Sequence, residues 1–529
     1  MSVVALEAGP RRCPEEMTLD EIRNDVRNWL SEPKARAEVP TWRESSAEAS
    51  SLAPWPMLTV NAVGGTTIHY DAVSPRLLPW NFASRSLTVE RYGVGAVPRG
   101  STLVDWPLSY DELEPYYDLV ERAIGVGGTA AANPFEGPRS GEYPLGPLRR
   151  SGWNRWMHGA ARDLGWHPYP APTALNSEPY NGNPECTYCG FCASNGCYRA
   201  AKGSTDATVI RRAESTGRLT IEIGARVTRI EVDGEGRVTG VTYVSDGREL
   251  FQPAAALLLG TFVYENTRLL LLSTSTAYPH GLSNNHGQVG KHYMAHATPA
   301  VYGVFPGRRL NLWSGPWSQA TCSDDWNGDN FDHTGLGFVG GGMLTAAHEA
   351  KPIALAGGPV PPGVPRFGSG WKSWLHANAR SIGSAGAQLE SLPYEQNVLD
   401  LDPAVVDPYG LPVVRVTHRV GESDRRGYAY LSHKLDLWLR EAGASETWSA
   451  DGIQLDPRHA YGGTRMGDDP DASVVDRVGF SHECPNLGVI GASTFPTTGG
   501  HNPTLTLQAL AWRTAEHLVT NWSTIGSRV

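Results

Sequence analysis

Apolar residues in this chain fall into short runs broken by polar and by glycine- or proline-rich stretches, and the period of each run predicts its element. Leu113, Tyr116, Tyr117 and Val120 recur at helical spacing between Leu108 and Ile124; Ser109 stands at the N-cap, Asp111 and Glu112 in the first turn, and Gly125 stops the helix. From Leu219 to Val244, two alternating segments flank Asp233-Gly234-Glu235-Gly236, which predicts a hairpin. Ala254 to Gly260 reads as a buried strand running into a helix from Glu265 to Leu272. Residues 300 to 450 alternate strand-like runs with turns, among them Pro352 to Pro365; a strand is expected over Gly410 to Val416 and an amphipathic helix over Ser423 to Ala442. At the start, Val3-Val4-Ala5-Leu6 is a short apolar strand ending in Glu7-Ala8-Gly9.

Composition narrows the function classes. A chain of 529 residues has room for two or three units or for one nucleotide fold with an interleaved second domain. Its 45 basic and 55 acidic residues are spread along the sequence, so no basic surface is expected to attract nucleic acid. The longest apolar run, Ala254 to Leu259, is too short for a membrane span, and the first residues have no basic segment followed by an apolar core, so a cytoplasmic location is expected. Abundant glycine, proline and tryptophan fit a loop-rich enzyme whose rings, such as Trp313, Trp317, Trp371 and Trp374, either stack on a sugar or pack in the core.

A strand ending in an acid is how the second strand of a dinucleotide-binding fold presents a carboxylate to the adenosine ribose, and Glu7 is the candidate. The glycine fingerprint that belongs about 20 residues earlier is not found in this sequence. The chain is therefore expected to begin inside its own cofactor fold, the alternative being an ordinary edge strand.

Near the C-terminus, His459-Ala460-Tyr461-Gly462-Gly463-Thr464-Arg465-Met466-Gly467 is followed by Gly499-Gly500-His501-Asn502-Pro503-Thr504. Together these resemble the GMC family of glucose–methanol–choline oxidoreductases, and most closely its pyranose oxidase and sugar or glycoside dehydrogenase members. Alcohol oxidation removes a hydroxyl proton as hydride leaves carbon. A neutral imidazole suits the base, and a carboxamide suits the developing oxyanion. His459 and Asn502 are the candidates, with His501 able to take over one role. The resemblance extends to Val63-Gly64-Gly65-Thr66-Thr67-Ile68-His69-Tyr70, where Gly64, Gly65 and Thr67 correspond to a segment on the flavin side. There His69 implies either covalent attachment of FAD or a noncovalent contact. Val227 corresponds to the adenine-contacting strand. Gly491 and Ala492 correspond to the pyrophosphate-side turn, with Gly491 replacing the usual Asp, and Asn502, Pro503 and Thr504 to the start of the last flavin-contacting helix.

Cys186, Cys189, Cys192 and Cys197 lie within twelve positions, a spacing that suits convergent thiolates. An iron–sulfur cluster is the expectation, with structural zinc or buried thiols as alternatives.

The resemblance implies an α/β fold: a Rossmann-like, glutathione-reductase-type FAD domain, N-terminally incomplete, over 1–75, 190–300 and 455–529. An α+β substrate domain on an antiparallel sheet is expected over 76–189 and 301–454, including the cysteine-rich loop. The expected activity is FAD-dependent oxidation of a sugar or glycoside CH–OH to a ketone or lactone, as a dehydrogenase served by a small accessory subunit and a cytochrome. The alternatives are an oxygen-using oxidase, a dehydrogenase of non-sugar alcohols, and a catalytically silent fragment.

Overall fold

The computed structural model describes residues 1–53, 59–310, 312–347 and 350–526. The N-terminal strand Val3–Glu7 pairs in parallel with Leu219–Ile223, and Leu257–Leu259 pairs in parallel with Leu487–Val489. Among the described residues no strand joins these two pairs into one sheet. Between them in sequence lies an antiparallel meander of Arg226–Val232, Val238–Ser245 and Arg248–Pro253. Its first turn is made by the Asp233 carboxylate, which accepts from the backbone N–H of Glu235 at 2.9 Å and of Arg237 at 3.0 Å.

The helix Tyr110–Ile124 forms as its caps predict. Ser109 accepts from the N–H of Glu112, the Glu112 carboxylate returns to the N–H of Ser109, and Gly125 closes it at φ 76°. Its buried face packs on the last long helix, Thr504–Thr520, where the Tyr117 hydroxyl meets Thr506 Oγ1 at 2.9 Å. The same helix anchors the chain after the glycine-rich segment: Arg76, wholly buried, bonds Glu121 at 2.8 and 2.9 Å and Glu114 at 2.9 Å. A buried charge is tolerable only with partners of this kind.

The second body is an eight-stranded antiparallel sheet ordered Glu446–Ser449, Ala300–Val304, Ile382–Leu389, Gly342–Ala346, Thr321–Ser323, Tyr169–Pro170, with Met294–Ala297 pairing both Ile382–Leu389 and Leu455–Tyr461. The helix Glu422–Glu441 covers it, burying Leu431, Leu435 and Trp438 against Trp153, Met157 and Phe305. Burial of this kind gives roughly 1.5–3 kcal/mol per large side chain. Pro352 begins a helix, Pro352–Gly357, where turns were expected, because proline at the first helical position has no N–H to lose and its φ is already helical. Trp374 packs edge-on against Trp448 at 5.8 Å, so its ring belongs to a core. No helix among the described residues is long and apolar enough to cross a membrane.

Just beyond the sheet, Glu390 is buried with both carboxylate oxygens lacking hydrogen-bond partners, and burial pushes it up to about 8, with Asp424 adding to the shift. Burial likewise raises Asp424 to about 7. An unfolded Glu releases its proton near pH 4.3, so the stability gained by keeping Glu390 neutral is full at low pH and lost as pH rises through 8. The melting temperature is expected to fall between pH 5 and 8.5, and Glu390→Gln to flatten that fall. An unchanged slope in calorimetry of the variant would remove Glu390 from the explanation.

Candidate active site

His459 sits in the strand Leu455–Tyr461, whose register against Met294–Ala297 slips: Ala460 faces Ala295, but Asp456 faces His296. The slip bulges residues 457–459, and a bulge of this kind re-aims side chains out of the ladder. His459 Nδ1 lies 3.2 Å from His296 Nδ1 and 3.2 Å from Gln388 Oε1, and His296 Nδ1 is 3.2 Å from the same Gln388 oxygen. On its other side, His296 Nε2 is 2.9 Å from the carbonyl of Gly499. A carbonyl only accepts, so His296 carries its proton on Nε2. Burial, with His459 adding, lowers His296 to about 3, which keeps it neutral with a lone pair on Nδ1. His459 must then donate from Nδ1, and the lone pair of its Nε2 is left over; that atom has no protein partner among the described residues.

Burial lowers the His459 pKa, Asp456 opposes the shift and Arg458 supports it. Asp456 and Arg458 form a bidentate pair at 2.8 Å each, so the two charges beside the imidazole largely cancel.

The two C-terminal motifs lie side by side through main-chain bonds. The N–H groups of Gly462, Thr464 and Met466 donate to the carbonyls of Ala492, Ser493 and Thr494 at 3.2, 3.0 and 2.8 Å. Glycine is required at 462 and 463: both have φ near 80–90°, and a Cβ at Gly462 would stand 2.0 Å from the carbonyl oxygen of His292. His501 and Asn502 diverge. His501 turns into the protein onto Asp324, whereas Asn502 is half-buried and its carboxamide has no partner among the described residues, with Oδ1 buried.

In the other predicted segment, Gly64 has φ 99° and caps the helical turn Gly65–Ile68. Thr67 Oγ1 donates to the Gly64 carbonyl at 2.6 Å and contacts Thr205 Oγ1 at 3.0 Å, which gives it a structural task. His69 follows, buried. Two residues on, the Asp71 carboxyl is raised by burial and lowered by Arg458 and Lys202, so this segment meets the strand that carries His459. Lys202 is 1 % exposed and donates to the carbonyls of Ile68, Tyr70, Cys192 and Asn195 at 2.8–3.3 Å. It ties the glycine segment to the cysteine-rich loop.

FAD fits the residues present. Glu7 Oε1 accepts from the N–H of Gly9 at 2.7 Å, which leaves Oε2 for ribose hydroxyls. Gly491, at φ 101°, has open space where a Cβ would stand. The helix Thr504–Thr520 begins after Pro503 with no side-chain cap, so its first N–H groups and dipole are available to an anion or a flavin carbonyl. Ala492 is buried, and Val227 lies partly buried against the main core.

The expectation of an iron–sulfur cluster is not met. No group of three His, Cys, Asp or Glu side chains among the described residues is placed to hold a metal ion. Cys192 turns into the main core while Cys186, Cys189 and Cys197 stay half-buried. Burial raises the Cys186 thiol to about 11, with Cys197 and Cys189 nearby adding to the shift, and Cys186 and Cys197 sulfurs accept backbone N–H bonds from Tyr188 and Ala201. Spacing in sequence does not fix where thiols point.

His296 and Gln388, from strands, and Asp324, just past the strand Thr321–Ser323, escaped the sequence reading because no motif text marks them; the antiparallel pairing of Met294–Ala297 brings His296 to Gln388 and His459.

Parallel strand pairs whose residues fit FAD, together with an antiparallel sheet that carries an imidazole with one ring nitrogen unpartnered among the described residues, are the arrangement of a flavin-dependent oxidoreductase. The chain belongs to the GMC oxidoreductase family, whose models match residues 105–298 and 393–511. It is 31% identical to the gluconate 2-dehydrogenase flavoprotein of Pantoea cypripedii over 98% of this chain and 89% of that protein. It is 27% identical to the fructose dehydrogenase large subunit of Gluconobacter japonicus over 98% and 93%, and 29% identical to paromamine 6'-oxidase of Streptomyces fradiae over 87% and 79%. The fold is that of pyridoxine 4-oxidase from Mesorbium loti, with TM-score 0.62 and 15% identity over 98% of this chain and 94% of that one.

Proposed function

We propose that this protein is an FAD-dependent dehydrogenase of sugars or sugar acids, with His459 as general base and Asn502 holding the reacting oxygen. The observation that carries the reading is the lone pair on His459 Nε2: neutral His296 and Gln388 take up Nδ1, and nothing among the described residues takes Nε2. Bound FAD supplies the hydride acceptor, flavin N5. His459 Nε2 takes the hydroxyl proton as the hydrogen on the same carbon leaves with its electron pair, so the CH–OH carbon becomes a ketone or lactone carbonyl. Asn502 donates its N–H to the oxygen as negative charge builds there. His296 keeps the His459 proton on Nδ1 and so keeps Nε2 a base.

The sugar substrate class is supported by the names of the gluconate and fructose dehydrogenases that the chain resembles over nearly its whole length. The same names favour a dehydrogenase, and "large subunit" favours service by an accessory subunit and a cytochrome. The division into FAD-binding residues 1–75, 190–300 and 455–529 and an intervening substrate domain is kept in this reading; both parallel strand pairs fall within the FAD-binding segments, which supports it, while Met294–Ala297 and Leu455–Tyr461 join the antiparallel sheet at the border.

Two measurements test it. Purified FAD-loaded protein is screened with hexoses, aldonates, glycosides and simple alcohols, using an artificial acceptor with peroxide assayed in parallel. Dye reduction by a sugar or aldonate with little peroxide is expected; peroxide at the rate of turnover would make the enzyme an oxidase, and turnover of non-sugar alcohols alone would overturn the substrate class. For His69, a covalent link predicts that acid precipitation leaves yellow flavin on the wild-type chain and releases it from His69→Ala; full release from wild type makes the contact noncovalent.

A further inference from the structure

His501 is 1 % exposed, and its Nε2 lies 3.0 and 3.1 Å from the two oxygens of Asp324. Asp324, fully buried just past the strand Thr321–Ser323, also accepts from the Tyr169 hydroxyl at 2.6 Å, Asn133 Nδ2 at 2.7 Å and Asn327 Nδ2 at 2.8 Å. Burial alone would raise this carboxyl; His501 and the neutral donors reverse that and hold it below its ordinary range. An ionised Asp324 requires a proton on His501 Nε2, which fixes the ring.

The rest of the loop is gripped as firmly. The carbonyl of Gly499 accepts from His296, that of Gly500 from the N–H of Met343 at 3.0 Å, and Thr498 Oγ1 accepts from the N–H of Ser391 at 2.9 Å. A Cβ at Gly500 would stand 2.1 Å from Asn327 Oδ1, so the loop is pressed onto the residues that surround Asp324. Asn502, the next residue, makes no side-chain bond of its own. Its position is set by what precedes it.

We infer that Asp324 is a positioning residue which acts through His501 to hold the Asn502 carboxamide where the reacting oxygen sits. This rests on the role proposed above for Asn502. Asparagine at 324 removes the charge and turns an amide N–H toward a site already filled with donors, so the loop loses its fixed point while the base, His459, keeps its partners.

The test uses the FAD-loaded chain with three readings on Asp324→Asn. First, kcat is expected to fall roughly 10- to 100-fold, the cost of about an ångström of misplacement, while KM changes by less than about threefold. Second, in an Asn502→Ala background the same substitution is expected to cost under about threefold, because its route to the substrate is gone. Third, the amides of 500–502 are expected to exchange hydrogen faster than in wild type. Equal losses in both backgrounds, a loss confined to KM, or unchanged exchange would overturn the inference. If Asn502→Ala itself leaves kcat intact, the role of Asn502 fails, and the exchange reading then reports on the clamp alone. Should Asp324→Asn not fold, His501→Gln breaks the same hydrogen bond from the other side and takes the same three readings.

Discussion

Replacing His459 by alanine is expected to lower the rate of flavin reduction by roughly 10²–10⁴-fold, the usual worth of a positioned general base. The loss should fall on kcat. Nothing in the core depends on the ring, which is half-buried, and its removal leaves His296 bonded through Nε2 to the carbonyl of Gly499 at 2.9 Å. The variant is therefore expected to fold and to keep a wild-type flavin spectrum, so that loss of activity reports chemistry. Anaerobic mixing with substrate and following flavin bleaching measures the step directly. A variant that bleaches at the wild-type rate removes His459 from the mechanism, and one without flavin shows that the residue serves cofactor binding instead.

Asn502→Ala carries the second large effect, roughly 10²–10³-fold in kcat, by comparison with the loss of a single donor from an oxyanion site. The physical reason is that the carboxamide has no hydrogen-bond partner among the described residues, and its Oδ1 is buried. Its hydrogen bond to a forming alkoxide therefore requires no internal bond to be broken first. Asn502→Asp is expected to be at least as damaging, since a carboxylate repels the charge that the amide stabilises. A change confined to KM in steady-state kinetics would mean that Asn502 binds the ground state and transition state alike.

Much of the secondary structure was legible because single residues announce it. Ser109, Glu112 and Gly125 bound the helix Tyr110–Ile124, and the helix Glu422–Glu441 follows its amphipathic pattern to within a residue at each end. The strand expected from Ala254 shortens to Leu257–Leu259, because its pairing is limited to the three residues of Leu487–Val489. At the site, the C-terminal motifs identify His459 and Asn502 but not what poises them. His296 lies 163 residues from His459, and Asp324 lies 177 from His501; strand register brings the first pair within hydrogen-bond reach, and the packing of the loop before the last long helix brings the second. The cysteine spacing finds no support for the complementary reason: closeness along the chain does not by itself make thiols converge, and among the described residues Cys192 packs in the main core and no metal-holding group forms.

The most direct test is the pH dependence of anaerobic flavin reduction in wild type and in His459→Gln. Burial lowers the imidazole pKa, so the base stays neutral at neutral pH and is lost only as pH falls below its ordinary value of about 6.5. The wild-type rate is expected to be flat near neutrality with an acid limb below pH 6.5, and the variant to be slow with that limb gone. The same limb in the variant, at an undiminished plateau, would contradict a mechanism in which His459 accepts the substrate proton.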